Sequence, residues 1–273
     1  MTLVDTAAEL LGEPLAFVAD RGWADGEAIV VEVEREGGPR LIVKQHGRDL
    51  LHEREVHAYR RWVPAIAERA PRLLASDAAH RVVVVTKLPG VTAPGDRVEV
   101  HRDAGAVLRR YQGAEDGGVD RDWGAAKVEH LEKWVARAPE GLLDGAVVTW
   151  ARSRVAALDG LEQALVPVHS DWWSRNWLWD GSQVGVIDFE RSHLDSWLHD
   201  LQRLRWREWL DRPDLADAFF DGYGRALTDD EREVLEIFSS VEQVTTMVWA
   251  TEVGSDAFVD EARRNVERAM AGA

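Results

Sequence analysis

Apolar, mostly β-branched residues dominate AIVVEVER and again the middle of RLIVKQ, two runs separated by Glu-Gly-Gly-Pro at residues 36–39. Such β-rich runs mark strands, and the Gly-Gly-Pro break between them predicts a β-hairpin over residues 28–45. The pattern then changes. In LLHEREVHAYRRW, residues 50–62, Leu51, Ala58, Tyr59 and Trp62 recur at spacings that share one helix face. Glu55 falls on that same face, four after Leu51 and four before Tyr59, whereas Glu53 points the opposite way. RVVVVTKLPG, residues 81–90, is a valine run short enough for a buried strand and is closed by Pro-Gly.

From residue 101 the pattern predicts helices over 101–112, 125–138 and 146–165. One stretch interrupts them, VPVHSDWWSRNWLWDGSQVGVIDFER at residues 166–191. Within it WLW, DGSQ and VGVI read as a tight hairpin with Asp-Gly in its turn. GAEDGGVDRDWG, residues 113–124, reads as an acidic loop, and more helices follow to residue 273. A small β-rich lobe at residues 1–89 followed by a larger helical one at 90–273 fits an α+β architecture better than a doubly wound sheet.

Composition narrows the function. The 273 residues are 45% hydrophobic and 30% charged, enough to bury a sizeable core. With no cysteine there is no disulfide, thiolate metal site or cysteine nucleophile. The opening MTLVDTAAELLGEPLAF lacks the basic and continuously apolar regions of a signal peptide, and no stretch approaches the ~18 apolar residues of a membrane span. The expected location is the cytoplasm, with no membrane partner. A net charge of −16 argues against nucleic acid as a partner, because phosphate backbones are held by clustered Lys and Arg. Residues 1–89 carry 12 basic and 14 acidic side chains, and the remainder 21 against 35, so the second part is the acidic one.

Two groups of residues suggest chemistry. A carboxylate on a buried helix face needs a cation or donors, and Lys44, ending the apolar run LIVK, is the nearest in the chain. Glu55 either pairs with Lys44 or lies at the edge of its stripe and reaches water. In the second group, folding the Asp-Gly hairpin back brings Asp188, after its second strand, beside Asn176, before its first, while Asp171 opens the loop leading in. Two carboxylates and an amide are oxygen ligands of the kind that suits Mg²⁺ and substrate phosphates.

HSDWWSRN at 169–176 and IDFE at 187–190 resemble the H-x-D-x-x-x-x-N loop and following strand-end Asp of the aminoglycoside phosphotransferase and choline kinase-like families, relatives of the protein kinases. Lys44, Glu55, VVVVTKLPG and, downstream, WLHDLQRL extend the resemblance in the same order over about residues 20–205. The resemblance implies a bilobal protein kinase-like α+β fold, with a nucleotide-binding lobe at 1–89 and a helical lobe carrying the catalytic loop and acceptor site. It implies that Asp171 orients the acceptor hydroxyl and accepts its proton, that Asn176 and Asp188 hold Mg²⁺ on the β- and γ-phosphates, and that Lys44, fixed by Glu55, pairs with the α/β-phosphates. It also implies that main chain near Thr86 and Leu88 bonds the adenine of ATP, with GTP as the alternative donor. His169 and Asp200 would support the loop.

This chain departs from the family pattern in places. DRGWADGEA, with Gly22 and Gly26, is the one candidate for a phosphate-covering loop, and no G-x-G-x-x-G precedes the hairpin. Ser170 stands where glycine is common, and Trp172, Trp173 and Arg175 occupy loop positions that usually differ. Trp177 and Trp179 read as packing, whereas Trp172 and Trp173 read as packing or as walls of an acceptor pocket. Glu190, Asp195, Glu208, Asp211 and Glu252 are candidates for lining that pocket, which would favour a cationic acceptor such as an aminoglycoside or basic peptide antibiotic, or else belong to a solvated acidic surface. Three functions follow as expectations: an antibiotic phosphotransferase conferring resistance or self-protection, a kinase of an ordinary small hydroxylated metabolite, or an inactive nucleotide-binding relative.

Overall fold

A computed structural model describes residues 2–22 and 28–272. Gly26 of the candidate phosphate loop lies outside the described residues. The chain forms two compact units, the first built from Met1–Asp116, Val166–Leu194 and Arg212–Arg225, the second from Gly117–Leu165, Asp195–Asp211 and Ala226–Ala273.

The first unit opens with helix α1 (Leu3–Leu11), started by a capping box between Thr2 and Asp5. Strands β1 (Leu15–Asp20), β2 (Ile29–Arg35) and β3 (Arg40–Gln45) follow, then helix α2 (Asp49–Arg61) and strands β4 (Leu73–Asp77) and β5 (Val82–Thr86). The strands form an antiparallel sheet in the order β1-β2-β3-β5-β4. Register sets the two faces. Val31, Val33, Leu41, Val43, Val82 and Val84 share one face and pack with Ala7, Leu3, Val4, Leu10 and Leu11 of α1. The other face carries Val30, Glu32, Ile42, Lys44, Val83 and Val85, because Val30 pairs Lys44, Lys44 pairs Val83, and Glu32 pairs Ile42.

Glu32 on that second face has a fully buried side chain, and Arg21, Arg40 and Lys87 converge on it at 2.6, 2.9 and 2.8 Å. Burial works against its charge, but hydrogen bonds from Lys87, Arg21 and Arg40 outweigh burial and hold its pKa at about 2.

After β6 (Val91–Thr92), helix α3 (Val98–Gln112) packs along α7 (Pro213–Tyr223). Their backbones touch closely: a Cβ on Gly105 would strike the Phe219 carbonyl, and one on Gly222 the Arg102 carbonyl. Strands β9 (Trp177–Trp179) and β10 (Val184–Val186) form the expected Asp-Gly hairpin. Its turn is tied by Asp180, whose Oδ1 accepts from the backbone N–H of Ser182 and of Gln183.

The second unit holds β7 (Val119–Asp120), α4 (Trp123–Arg137), α5 (Gly145–Ala156), the start of β8 (Gln163–Val168), α6 (Gln202–Trp206), α8 (Asp229–Glu252) and α9 (Asp256–Ala271). Its core gathers Trp123, Leu131, Ala151, Val155, Leu158, Phe238, Val244, Met247 and Val266. The helix expected over 146–165 ends instead at Ala156. A turn carrying Gly160 at φ 77° follows, and QALVPV continues as β8 beside β7. No helix among the described residues is long and apolar enough to cross a membrane.

Candidate active site

Strand β3 ends in Lys44, whose side chain is buried on the sheet face opposite α1. Helix α2 turns Leu51, Val56, Ala58 and Tyr59 inward, and Glu55 with them. Of the two sequence alternatives for Glu55, the structure has the buried one: Lys44 Nζ lies 3.3 Å from Glu55 Oε2. Nζ is also 2.5 Å from Asp188 Oδ1 and 2.9 Å from Glu190 Oε2. Burial opposes the charge on Lys44, but the three carboxylates more than offset this and hold its pKa well above the usual lysine value. Glu55 and Glu190 are shifted the other way: burial disfavours their charge, and Lys44 and His46 overcome that and lower both pKa values. At Asp188 burial dominates, helped by the nearby Glu190 and Glu55, and its pKa is raised despite Lys44.

The loop before β9 supplies the next residues. Asn176 is buried, and its Nδ2 donates to both the Asp171 carboxylate, at 2.8 Å, and the Asp171 carbonyl, at 2.9 Å. Its Oδ1 is thereby oriented away from Asp171. The Asp171 N–H donates to His169 Nδ1 at 3.3 Å, which leaves Nε2 to donate to the Ile187 carbonyl at 3.0 Å. His169 thus ties the loop to the residue before Asp188. The hairpin closes the same span, with the Ile187 N–H on the Asn176 carbonyl. Both ends of the arrangement are in left-handed backbone, Ser170 at φ 66° and Asp188 at φ 71°.

An aromatic bed lies under the loop. The His169 ring centroid is 5.0 Å from Phe189 and 5.6 Å from Trp172, and Trp172 is 5.9 Å from Trp177. Tyr59 and Tyr111 meet Phe189 from α2 and α3. Trp172 is 1% exposed and Trp177 fully buried, while Trp173 is half-buried with the Arg175 guanidinium over its ring.

The other sequence candidates are distributed as follows. Thr86 ends β5, with its N–H and Oγ1 both engaged by Arg72, and Leu88 lies over Gly185 of β10. In the second unit Asp200 is buried, and Asp195 is buried with its carboxylate accepting from Trp123 Nε1, the Ser196 N–H, Lys127 Nζ and His199 Nδ1 at 2.6–2.8 Å. Glu252 holds Arg137 through both oxygens, Asp211 is exposed 3.7 Å from Arg268, and Glu208 is half-buried. Sequence reasoning missed His46, whose imidazole lies between Glu55 and Glu190. The signal was available, since a residue two beyond Lys44 projects to the same side of an extended chain.

Asp188 and the Oδ1 of Asn176 offer hard oxygen donors of a type that suits Mg²⁺. Lys44, held by three carboxylates, offers a cation of a type that suits phosphate.

A family model described as a phosphotransferase enzyme family matches residues 23–237. The chain is similar in structure to a putative fructosamine-3-kinase from Thermobifida fusca, at TM-score 0.72 and 20% identity over 97% of this chain and 99% of that one. A choline kinase from Streptococcus pneumoniae follows at TM-score 0.71 and 16% identity, covering 98% and 96% of the two chains. A thermostable mutant of an aminoglycoside phosphotransferase, in ternary complex with ADP and hygromycin B, gives TM-score 0.71 and 17% identity over 99% and 97%. Comparison with curated protein sequences finds no match.

Proposed function

The chain belongs to the phosphotransferase enzyme family and has its protein kinase-like α+β fold, and from that premise we propose that it transfers the γ-phosphoryl group of ATP, with GTP as the alternative donor, to a hydroxyl of a small molecule. The observation that carries the proposal is the position of Lys44, within 3.3 Å of Glu55 and 2.5 Å of Asp188, in the same unit as the Asp171–Asn176 pair.

In this reading residues 1–89 form the nucleotide-binding lobe, and main chain near Thr86 and Leu88 takes the base. Lys44 binds the α/β-phosphates, and Asp188 and Asn176 hold Mg²⁺, which when bound neutralises charge on the phosphates. Asp171 orients the acceptor hydroxyl and takes its proton, with its carboxylate fixed by Asn176 Nδ2. His169 keeps the loop in register with Asp188. The intact set of Lys44, Glu55, Asp171, Asn176 and Asp188 favours an enzyme over an inactive binding relative, which has no need of a base.

A cationic acceptor suits this chain best. Residues 90–273 carry the excess of acidic over basic side chains, and a field of that sign raises the local concentration of a cation. Choline and aminoglycosides, named for two of the similar structures, are cations. An aminoglycoside or other basic antibiotic, with resistance or self-protection as the outcome, is the leading acceptor class, and an ordinary amino alcohol or amino sugar is the second. Trp173, in the same unit as Asp171, is the side chain proposed to meet it.

The test is a coupled ADP-release screen across aminoglycosides, basic peptide antibiotics, choline and sugars, with ATP and GTP each as donor. Asp171→Ala is expected to lower turnover of the best acceptor about 10²–10⁴-fold. Turnover within a few-fold of the parent would remove Asp171 from the mechanism.

A further inference from the structure

We propose that His46 is a positioning residue of the transfer site, clamping Glu55 of α2 to Glu190 beyond Asp188 and closing a ring of alternating charge that fixes the Lys44 ammonium. The proposal rests on the reading of Lys44 and Asp188 as parts of a phosphotransfer site.

Four contacts make the ring. Lys44 Nζ lies 3.3 Å from Glu55 Oε2, and that oxygen lies 2.8 Å from His46 Nε2. His46 Nδ1 lies 3.2 Å from Glu190 Oε2, which returns to Lys44 Nζ at 2.9 Å. Cations and anions alternate around the circuit. Its members come from β3, the residue just past β3, α2 and the segment after β10, so the ring pins three separate pieces of chain to one another. The His46 side chain is fully buried and the Glu55 side chain 3% exposed, which leaves water little part in the balance.

The imidazole has to be charged to serve here. A neutral ring carries one N–H and one lone pair, and a lone pair turned towards a carboxylate oxygen is repelled by it. Both His46 nitrogens face such oxygens at ion-pair distance, and neither makes a hydrogen bond of good geometry among the described residues, so charge rather than a shared proton ties the imidazole to the two carboxylates. The groups around it are Glu55 and His52 of α2, the latter with its ring centroid 5.8 Å away, together with Glu190, Lys44 and, against Lys44, Asp188. Burial disfavours the imidazolium, but Glu190 and Glu55 outweigh it and raise the His46 pKa above its ordinary value. His46, Glu55 and Glu190 also converge as metal ligands do. The Lys44 ammonium already sits against both carboxylate oxygens, however, and would repel a divalent ion there.

The function of the ring follows from counting charges. Without His46, one lysine would face Glu55, Asp188 and Glu190 together, and nothing would decide which of them it follows. With His46 sharing Glu55 and Glu190, Lys44 is centred and its remaining contact is to Asp188, the side from which nucleotide phosphates arrive in the proposed site. Glu190 is thus held in the ring, and its sequence-based assignment to the acceptor pocket is superseded in this proposal.

Two measurements on the full-length protein test this. The first is the ¹⁵N spectrum of the histidine side chains at pH 7.5, with His46 assigned by its disappearance in His46→Gln. We expect both His46 nitrogens protonated, and a shift towards a neutral tautomer in Glu190→Gln; a neutral His46 in the parent overturns the proposal. The second is a kinetic cycle on variants whose thermal melts match the parent. His46→Gln is expected to lower kcat about tenfold or more while changing the nucleotide KM only a few-fold, and His46→Gln combined with Glu190→Gln to cost less than the two singly multiplied together. Fully independent effects, or loss confined to KM, overturn the positioning role. Failure of the parent to phosphorylate any acceptor would instead defeat the proposed function, and the nitrogen spectrum would still decide the ring.

Discussion

Ser170 and Asp188 adopt a backbone conformation that L-residues with a Cβ avoid, at a cost of roughly 1–2 kcal/mol for an ordinary side chain and less for Asp. Ser170→Gly is expected to stabilise the protein by up to about 1 kcal/mol, raising Tm by about 2–4 °C, because the left-handed φ is free for glycine. A calorimetric Tm equal to or below the parent's would show that the Ser170 Oγ contact to His193 Nδ1, at 3.1 Å, outweighs the strain. At this scale the sequence was informative wherever spacing is local. The His-x-Asp-x-x-x-x-Asn loop and the strand-end Asp188 are legible because a few residues of chain fix their separation. For His46 only the side was legible, two residues beyond Lys44; its two partners arrive from α2 and from beyond β10, and no spacing along the chain announces that convergence.

Among the elements, the hairpin of β2 and β3, helix α2, strand β5 and the Asp-Gly hairpin of β9 and β10 could be read from their periodicity. Helix α1 and strands β1 and β4 could not: β1 exposes residues in no alternating order, with Phe17 59% exposed, and β4 is half-buried throughout. The extra length assigned to α5 has a similar origin, since the residues beyond the turn at Gly160 are apolar enough to prolong a helical pattern across it. Two elements invite tests. The α3–α7 contact has no room for a side chain at Gly105, so Gly105→Ala is expected to cost about 1–3 kcal/mol by overpacking, read as a lower urea midpoint with the slope unchanged. Glu32, fastened by the residue after β1, by β3 and by the residue after β5, makes the sheet acid-sensitive. Its pKa lies below the ordinary value of 4.5, so its contribution is fully present above pH 4.5 and is lost as the pH falls towards about 2. Glu32→Gln should therefore melt below the parent at pH 7 and approach it between pH 4.5 and 2; a constant gap across that range would assign the stability to other carboxylates.

For the molecule as a whole, the net charge of −16 makes a statement about association. If acidic side chains steer a cationic acceptor, raising salt from 50 to 300 mM should lower kcat/KM for that acceptor several-fold and leave a neutral acceptor unaffected. Equal salt sensitivity for both would place the field effect elsewhere. The unit that carries Lys44, Asp171 and Asp188 has a further property, since it is assembled from three stretches of chain separated by pieces of the other unit. Synthesis delivers those stretches in order, at about 5–20 residues per second in a cell, so the interval between residue 116 and residue 225 is on the order of ten seconds. Through that interval α3 stands without α7, and for much of it Lys44 stands without Asp188. The five-stranded sheet therefore emerges well before the rest of its unit exists, and no ligand can engage Lys44 together with Asp188 until the second of the three stretches has emerged.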